Sequence, residues 1–212
     1  SILEQQQLTN SRNGNVWISP TAHLNYKFKT DSAGSYFTTR FQYNLSIRDG
    51  NTENTSDFNN FVDTTYSGFR RRTDSRNRPH VFTTFIDYVH IFDTTGWELA
   101  VGGFHSGLTN DKVYDQFNFE DNDWIKDQQF SNEYDYTEHI GALYIDVEKG
   151  WDIFSMKFGL RGEATFINGF SQALNQEIID TMYFNLFPSA TFMFNFGKKK
   201  QWTVSTSYTA RI

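Results

Sequence analysis

Five ionisable side chains sit in stretches that otherwise alternate apolar with polar residues: Glu138, Lys157, Arg161, Glu163 and Arg211. Carboxylates and cations in that setting can pair with one another or line a path for a charged solute. A second group is basic. Arg70, Arg71 and Arg72, followed by Arg76 and Arg78, could together meet phosphate or another anionic ligand. A third, Glu120-Asp121-Asn122-Asp123, offers oxygen donors for calcium but lacks the glycine of a calcium loop. The histidines (His23, His80, His90, His105, His139) show no paired ligand spacing. Cysteine is absent, which excludes disulfides, thiolate nucleophiles and cysteine-bound metals. No nucleophile elbow, phosphate loop or carboxylate pair stands out. The chain is read as a non-enzyme with no metal and no cofactor.

The elements that would carry these groups follow from composition and period. Of 212 residues, 18% are aromatic, yet only 38% are hydrophobic, an odd recipe for a soluble core built on Leu, Ile and Val. It suits a surface that meets lipid on one side and water on the other, with rings gathered at the interfaces. No run of eighteen apolar residues could form a transmembrane helix. A net charge of -6 argues against nucleic acid as a partner. The segment Ser1-Ile2-Leu3-Glu4-Gln5-Gln6-Gln7 has no signal-peptide pattern.

Alternation with a period of two is the strongest signal. Phe154, Met156, Phe158, Leu160, Gly162, Ala164 and Phe166 share one face; Ser155, Lys157, Gly159, Arg161, Glu163 and Thr165 share the other. Strands are predicted near 16–28, 36–48, 80–92, 97–108, 136–147, 152–166, 183–196 and 201–212, with the facing of 80–92 and 136–147 less clean. Short turns at 30–35, 93–96, 148–150 and 197–200 alternate with long polar loops at 49–78, 109–135 and 168–182. That layout belongs to an outer-membrane barrel, with the turns periplasmic and the loops outside. Phe158, Leu160, Phe192, Phe194 and Val204 are then predicted to face lipid, and Arg161, Ser189 and Thr203 the lumen. Pro20 and Pro188, which remove ladder donors, call for a bulge or a late start of pairing. Trp151 has the wrong parity for its strand and belongs to the turn. The five strand charges would face a wet lumen and pair there. The arginine run would be a solvated loop balancing nearby acids or an anion-binding one.

Several segments resemble the TonB-dependent outer-membrane β-barrel receptors of the Bacteroidetes type: Asp87-Tyr88-Val89-His90, Trp97-Glu98-Leu99-Ala100-Val101-Gly102, Tyr136-Thr137-Glu138-His139-Ile140, Phe158-Gly159-Leu160-Arg161-Gly162-Glu163, Leu186-Phe187-Pro188-Ser189 and Trp202 to Ile212. Residues 1–78 match in pattern only. The resemblance implies about twenty-two strands around an N-terminal plug, of which this chain would supply a third and no plug. It also implies a nutrient ligand, and as partners the rest of the barrel, a plug, outer-membrane lipid with lipopolysaccharide, and a surface lipoprotein.

The expectation is an all-β, antiparallel up-and-down transmembrane barrel segment over 1–212, about eight strands, in the bacterial outer membrane. The alternatives are a complete eight-stranded anchor barrel and a soluble ligand-binding β-barrel.

Overall fold

A computed structural model describes residues 5–60, 65–197 and 202–210. Every regular element within them is a strand, and all join one antiparallel sheet. In chain order these are β1 (Gln5–Ile18), β2 (Thr21–Lys29), β3 (Tyr36–Leu45), β4 (Ile47–Asn60), β5 (Thr65–Asn77), β6 (His80–Phe92), β7 (Trp97–Glu120), β8 (Asp123–Lys126), β9 (Asn132–Gly150), β10 (Phe154–Ser171), β11 (Gln176–Phe196) and β12 (Trp202–Thr209).

The sheet has twelve strands rather than about eight, but the path is the expected meander. β1 with β2, β3 with β4, and β5 with β6 form three through-running courses, because pairing resumes past each gap in the same register. Asn44 faces Thr21 below the first gap and Ile47 faces Ile18 above it. Leu45 likewise faces His80, and Arg48 faces Asn77. These three courses and β7, β9, β10, β11 and β12 run up and down in sequence; β8 is a short flap folded back on β7.

Proline explains the gaps. The Pro20 carbonyl accepts the Leu45 N–H at 3.1 Å, and the Pro79 carbonyl accepts the Ser46 N–H at 3.0 Å. Such an antiparallel pair normally exchanges two bonds, but proline has no N–H to return. Leu45 and Ser46 thus lose donors from opposite neighbours, and the strand between them breaks at Ser46. Pro20 therefore produces a gap with no slip of register. Pro188 sits inside β11, where its carbonyl accepts the Ala210 N–H at 3.1 Å, so its missing donor faces the end of β12 rather than β10.

The larger correction concerns the connections. The polar segments 49–78, 109–135 and 168–182 are not loops over most of their length. β4 and β5 pair from Arg48–Asn77 to Asn60–Thr65, β7 and β9 pair up to Tyr114–Asn132, and β10 and β11 pair up to Ser171–Gln176. With water on both faces, alternation in hydrophobicity vanishes while the strand geometry continues. The turn expected at 148–150 falls instead at 151–153, where Trp151 stacks on Phe154 with ring centroids 5.5 Å apart. At 30–35 the turn is as expected, with Asp31 accepting the Gly34 and Ser35 N–H groups, each at 2.9 Å.

The two faces differ as the alternation requires. Phe158, Leu160, Phe192, Phe194 and Val204 share the apolar face, and Arg161, Ser189 and Thr203 the polar one. Burial is inverted relative to a soluble protein: Leu143, on the apolar face, is 75% exposed, whereas Thr165, on the polar face, is 2% exposed. The blurred alternation of β6 and β9 has a local cause. Phe85 and Val89 of β6, and Ile140 and Ala142 of β9, are apolar residues turned to the polar face.

The hairpin at Asp121 and Asn122, both with positive φ, is the natural site for an insertion. A short epitope placed there is expected to leave heat-modifiable migration unchanged. The same epitope between Asp74 and Ser75, inside the β4–β5–β7 ladder, is expected to abolish it. Equal tolerance at both places would contradict the paired hairpins.

Candidate functional site

The polar face carries a network that reaches across five strands. Arg40 of β3 approaches Asp87 of β6 at 3.4 Å and lies 4.5 Å over the Phe85 ring. Phe85 packs on Phe104 of β7 with centroids 4.8 Å apart, and Arg161 of β10 covers Phe104 from the other side at 4.9 Å. Arg161 also donates to Glu163 through Nε and Nη2, at 3.1 and 2.7 Å. Below this line the Tyr144 hydroxyl of β9 donates to Asp87 across β7. That reach depends on Gly102, where a Cβ would collide with both the Tyr144 ring and the Asp87 carboxylate. Nearer the 30–35 and 93–96 turns, Lys157 pairs with Asp146 at 3.4 Å.

Four of the five strand charges, Glu138, Lys157, Arg161 and Glu163, therefore lie on the polar face; Arg211 is outside the described residues. They are not one cluster. Arg161 and Glu163 pair with each other, Lys157 pairs elsewhere, and Glu138 receives the Tyr136 hydroxyl at 2.6 Å. Glu138 and His139 sit on opposite faces, as their adjacency dictates. Arg40, Asp87, Phe85, Phe104 and Tyr144 were not singled out from sequence. A glycine inside the strand at 102 is the one signal that pointed to a close approach.

The arginine run lies on β5, not in a loop, so its members alternate in direction. Arg70 and Arg72 turn to the same side as the apolar face, where Trp124 of the β8 flap lies between them, 5.4 and 5.2 Å from their guanidinium carbons. Phe119 and Phe117 close the stack at 4.4 and 4.5 Å. Arg70 bonds Glu53 at 2.7 Å and Arg72 approaches Asp74 at 3.3 Å. Arg71 points to the other face, 5.3 Å from the Phe69 ring. The charges of Arg70 and Arg72 are thus neutralised locally. Hydrogen bonds from Arg70 and Arg78 hold the carboxyls of Glu53 and Asp49 below their ordinary range. A cavity of about 1260 Å³ lies beside this sheet, lined by Asp49, Asp74, Arg76, Asp115, Lys126 and Glu133 among others. Asp121 and Asn122 form a turn, and Asp123 accepts the Trp124 N–H. Among the described residues no group of three or more His, Asp or Glu could hold a metal ion.

The apolar face has a measurable height. On β7 it begins at Trp97 and passes through Leu99, Val101 and Gly103 to His105 and Gly107, where histidines and then charges replace aliphatics. Ten residues at ~3.3 Å give about 33 Å along the strand. At a tilt of about 40° that is about 25 Å of height, the thickness of the apolar band of an outer-membrane barrel.

The family model of the outer membrane protein β-barrel family matches residues 27–212. The chain belongs to that family. No curated protein sequence matches it. Among solved structures it is similar to the ferric citrate transporter FecA in its unliganded form, with a TM-score of 0.51 and 12% identity over 82% of this chain. The match spans 26% of the FecA chain, so this chain corresponds to about a quarter of that transporter's length. At that identity the likeness shows the fold alone.

Membership places the protein in the bacterial outer membrane and gives each face its surroundings. The band from Trp97 to Gly107 is the face a barrel of the outer membrane protein β-barrel family turns to lipid, and the network of Arg40, Asp87, Tyr144 and Arg161 is turned away from it. The paired hairpins of β1, β4, β5 and β7 rise beyond the band on the side opposite the short turns.

Proposed function

We propose that this chain is part of the wall of a TonB-dependent receptor of the Bacteroidetes type that takes up a nutrient, with a plug domain filling its lumen. The observation that carries the reading is the polar face. The charges of its network are already partnered, across strands for Arg40–Asp87 and Lys157–Asp146 and along one strand for Arg161–Glu163, which builds a wet wall suited to a wide interior rather than a tightly packed small barrel. The sheet's two outer courses support a larger barrel. β1–β2 and β12 each pair on one side only among the described residues, and hydrocarbon does not tolerate such open edges. Further strands of the same barrel are the partners that fit them. The paired hairpins outside the membrane form a rim on which a surface lipoprotein could rest, and the chain works without catalysis.

Cells lacking the full-length protein, grown on limiting iron chelates, peptides or oligosaccharides, test the transport reading. A growth defect on at least one of these is expected, rescued by the wild-type protein. It is not rescued when Arg40, Asp87 and Arg161 are all replaced by neutral residues. No defect on any nutrient would overturn it. A compact, heat-modifiable monomer from residues 1–212 refolded in detergent would favour the complete eight-stranded anchor.

A further inference from the structure

Strand register sets five side chains in one row on the polar face, just above the proline gaps and beyond the apolar band that ends at Gly107. Trp17 of β1 faces Arg48 of β4, Arg48 faces Asn77 of β5, Asn77 faces Lys112 of β7, and Lys112 faces Tyr134 of β9. The Arg48 guanidinium lies 5.4 Å from the centre of the Trp17 ring, which is 72% exposed. Beside them is a cavity of about 380 Å³, lined by Asn15, Trp17, Arg48 and Ser75 around Gly50. A Cβ at Gly50 would come within 2.9 Å of both Asn15 Oδ1 and Ser75 Oγ, so the floor of this hollow has to be bare backbone. Val16 and Asp49 border it too, with the Asp49 carboxylate held on the other face by Arg78.

The two cations of the row lack acidic partners. On the outer face of the same strands Arg70, Arg72 and Arg78 each have a carboxylate, but among the described residues Arg48 and Lys112 have none. The polar-face positions of β1, β4 and β5 hold no acid. Glu138 of β9 lies two rows below Lys112 and receives the Tyr136 hydroxyl. Glu120, Asp123 and Asp127 lie at the far end of β7, at or above the level of Arg71.

We propose that Arg48, Lys112 and this hollow bind the acidic part of the transported solute, an organic anion carrying carboxylate or phosphate groups. The proposal rests on the transport reading and narrows it, because a cationic or uncharged solute gains nothing from this row. Arg48 can give one oxyanion two parallel charge-assisted hydrogen bonds. Asn15 and Ser75 add neutral donors beside it. The open face of Trp17 receives the carbon skeleton that bears the acid. Lys112 stands two strands away, about 10 Å, and takes a second acidic group. The hollow is near the lower limit of small-molecule pockets, about 300–1,000 Å³, so it admits one ring or acidic head and leaves the rest of the solute in the lumen.

The test uses the full-length protein purified from outer membranes and titrated calorimetrically with tetragalacturonate, inositol hexakisphosphate and the uncharged maltotetraose. Binding of an acidic probe and none of maltotetraose is expected, and the tighter of the two acids tells carboxylate from phosphate. Arg48→Gln should weaken the acidic probe about tenfold, the weight of one charge-assisted hydrogen bond, with heat-modifiable migration unchanged. Lys112→Gln should weaken it by a smaller factor. Arg76→Gln, next to Asn77 in sequence but on the outer face, should not change it. Added salt should weaken binding more in the wild type than in the double variant of Arg48 and Lys112. Binding of maltotetraose as tight as that of the acids, unchanged affinity in the double variant, or no binding of either acid overturns the proposal. Absence of a growth defect on every nutrient, with an acidic probe still bound through Arg48, would instead sink the transport reading and leave the anion site standing.

Discussion

Leu143→Arg is expected to destabilise the folded barrel by about 2–4 kcal/mol, the cost of a basic side chain on the lipid face near the bilayer midplane. Leu143 lies in the row of Gly103, close to the middle of the band that runs from Trp97 to Gly107, and its side chain is 75% exposed to what the membrane supplies. The comparison is Gln42→Arg, on the exposed part of the polar face, which is expected to change stability little. Urea unfolding from lipid vesicles reads both. Two equal losses would mean that the faces have been assigned wrongly, because a slip of one residue exchanges them.

The second large effect concerns two adjacent glycines. Gly102→Leu is expected to cost about 3–5 kcal/mol, from overpacking against Tyr144 and from loss of the hydrogen bond to the Asp87 carboxylate. Gly103→Leu is expected to be nearly neutral, since its Cβ would meet only Leu143 Cδ2, at 3.5 Å, and Ala142 O, at 3.8 Å, on the lipid side. In the milder Gly102→Ala background, Tyr144→Ala should recover part of the loss, as a double-mutant cycle of contacting residues would show. If Gly102 and Gly103 behaved alike, Tyr144 would not cross β7 as described.

The faces were legible from sequence wherever lipid touched one side. In β10 the environment differs sharply between Phe158 and Arg161, so the alternation is written in residue type. Legibility fell in two places for two reasons. In β6, Phe85 and Val89 turn to the polar side to pack against β7, and the pattern blurs. Beyond the membrane, Arg70 to Asn77 has water on both faces, so strand looks like loop although the ladder is intact. The network at Asp87, Gly102 and Tyr144, and the row of Trp17, Arg48, Asn77 and Lys112, depend on register between strands. Register lines up residues dozens of positions apart, and no local spacing reports it. The arginine run misled for a related reason: read as a loop it is one charge cluster, but on a strand Arg71 points away from Arg70 and Arg72.

The gaps at Ser19–Pro20, Ser46 and Arg78–Pro79 fall in one line across three neighbouring courses, while β7 passes the same level at Asn110 without a break. Mechanically this divides the wall into two stiff panels joined along a crease that stops part-way. A panel hinged along its whole width could fold like a lid; one hinged only to β7 cannot. Force applied to the tip of the β1–β4–β5 extension therefore lifts a corner and arrives at β7 as torsion, which the continuous strand carries down past Gly102 into the membrane.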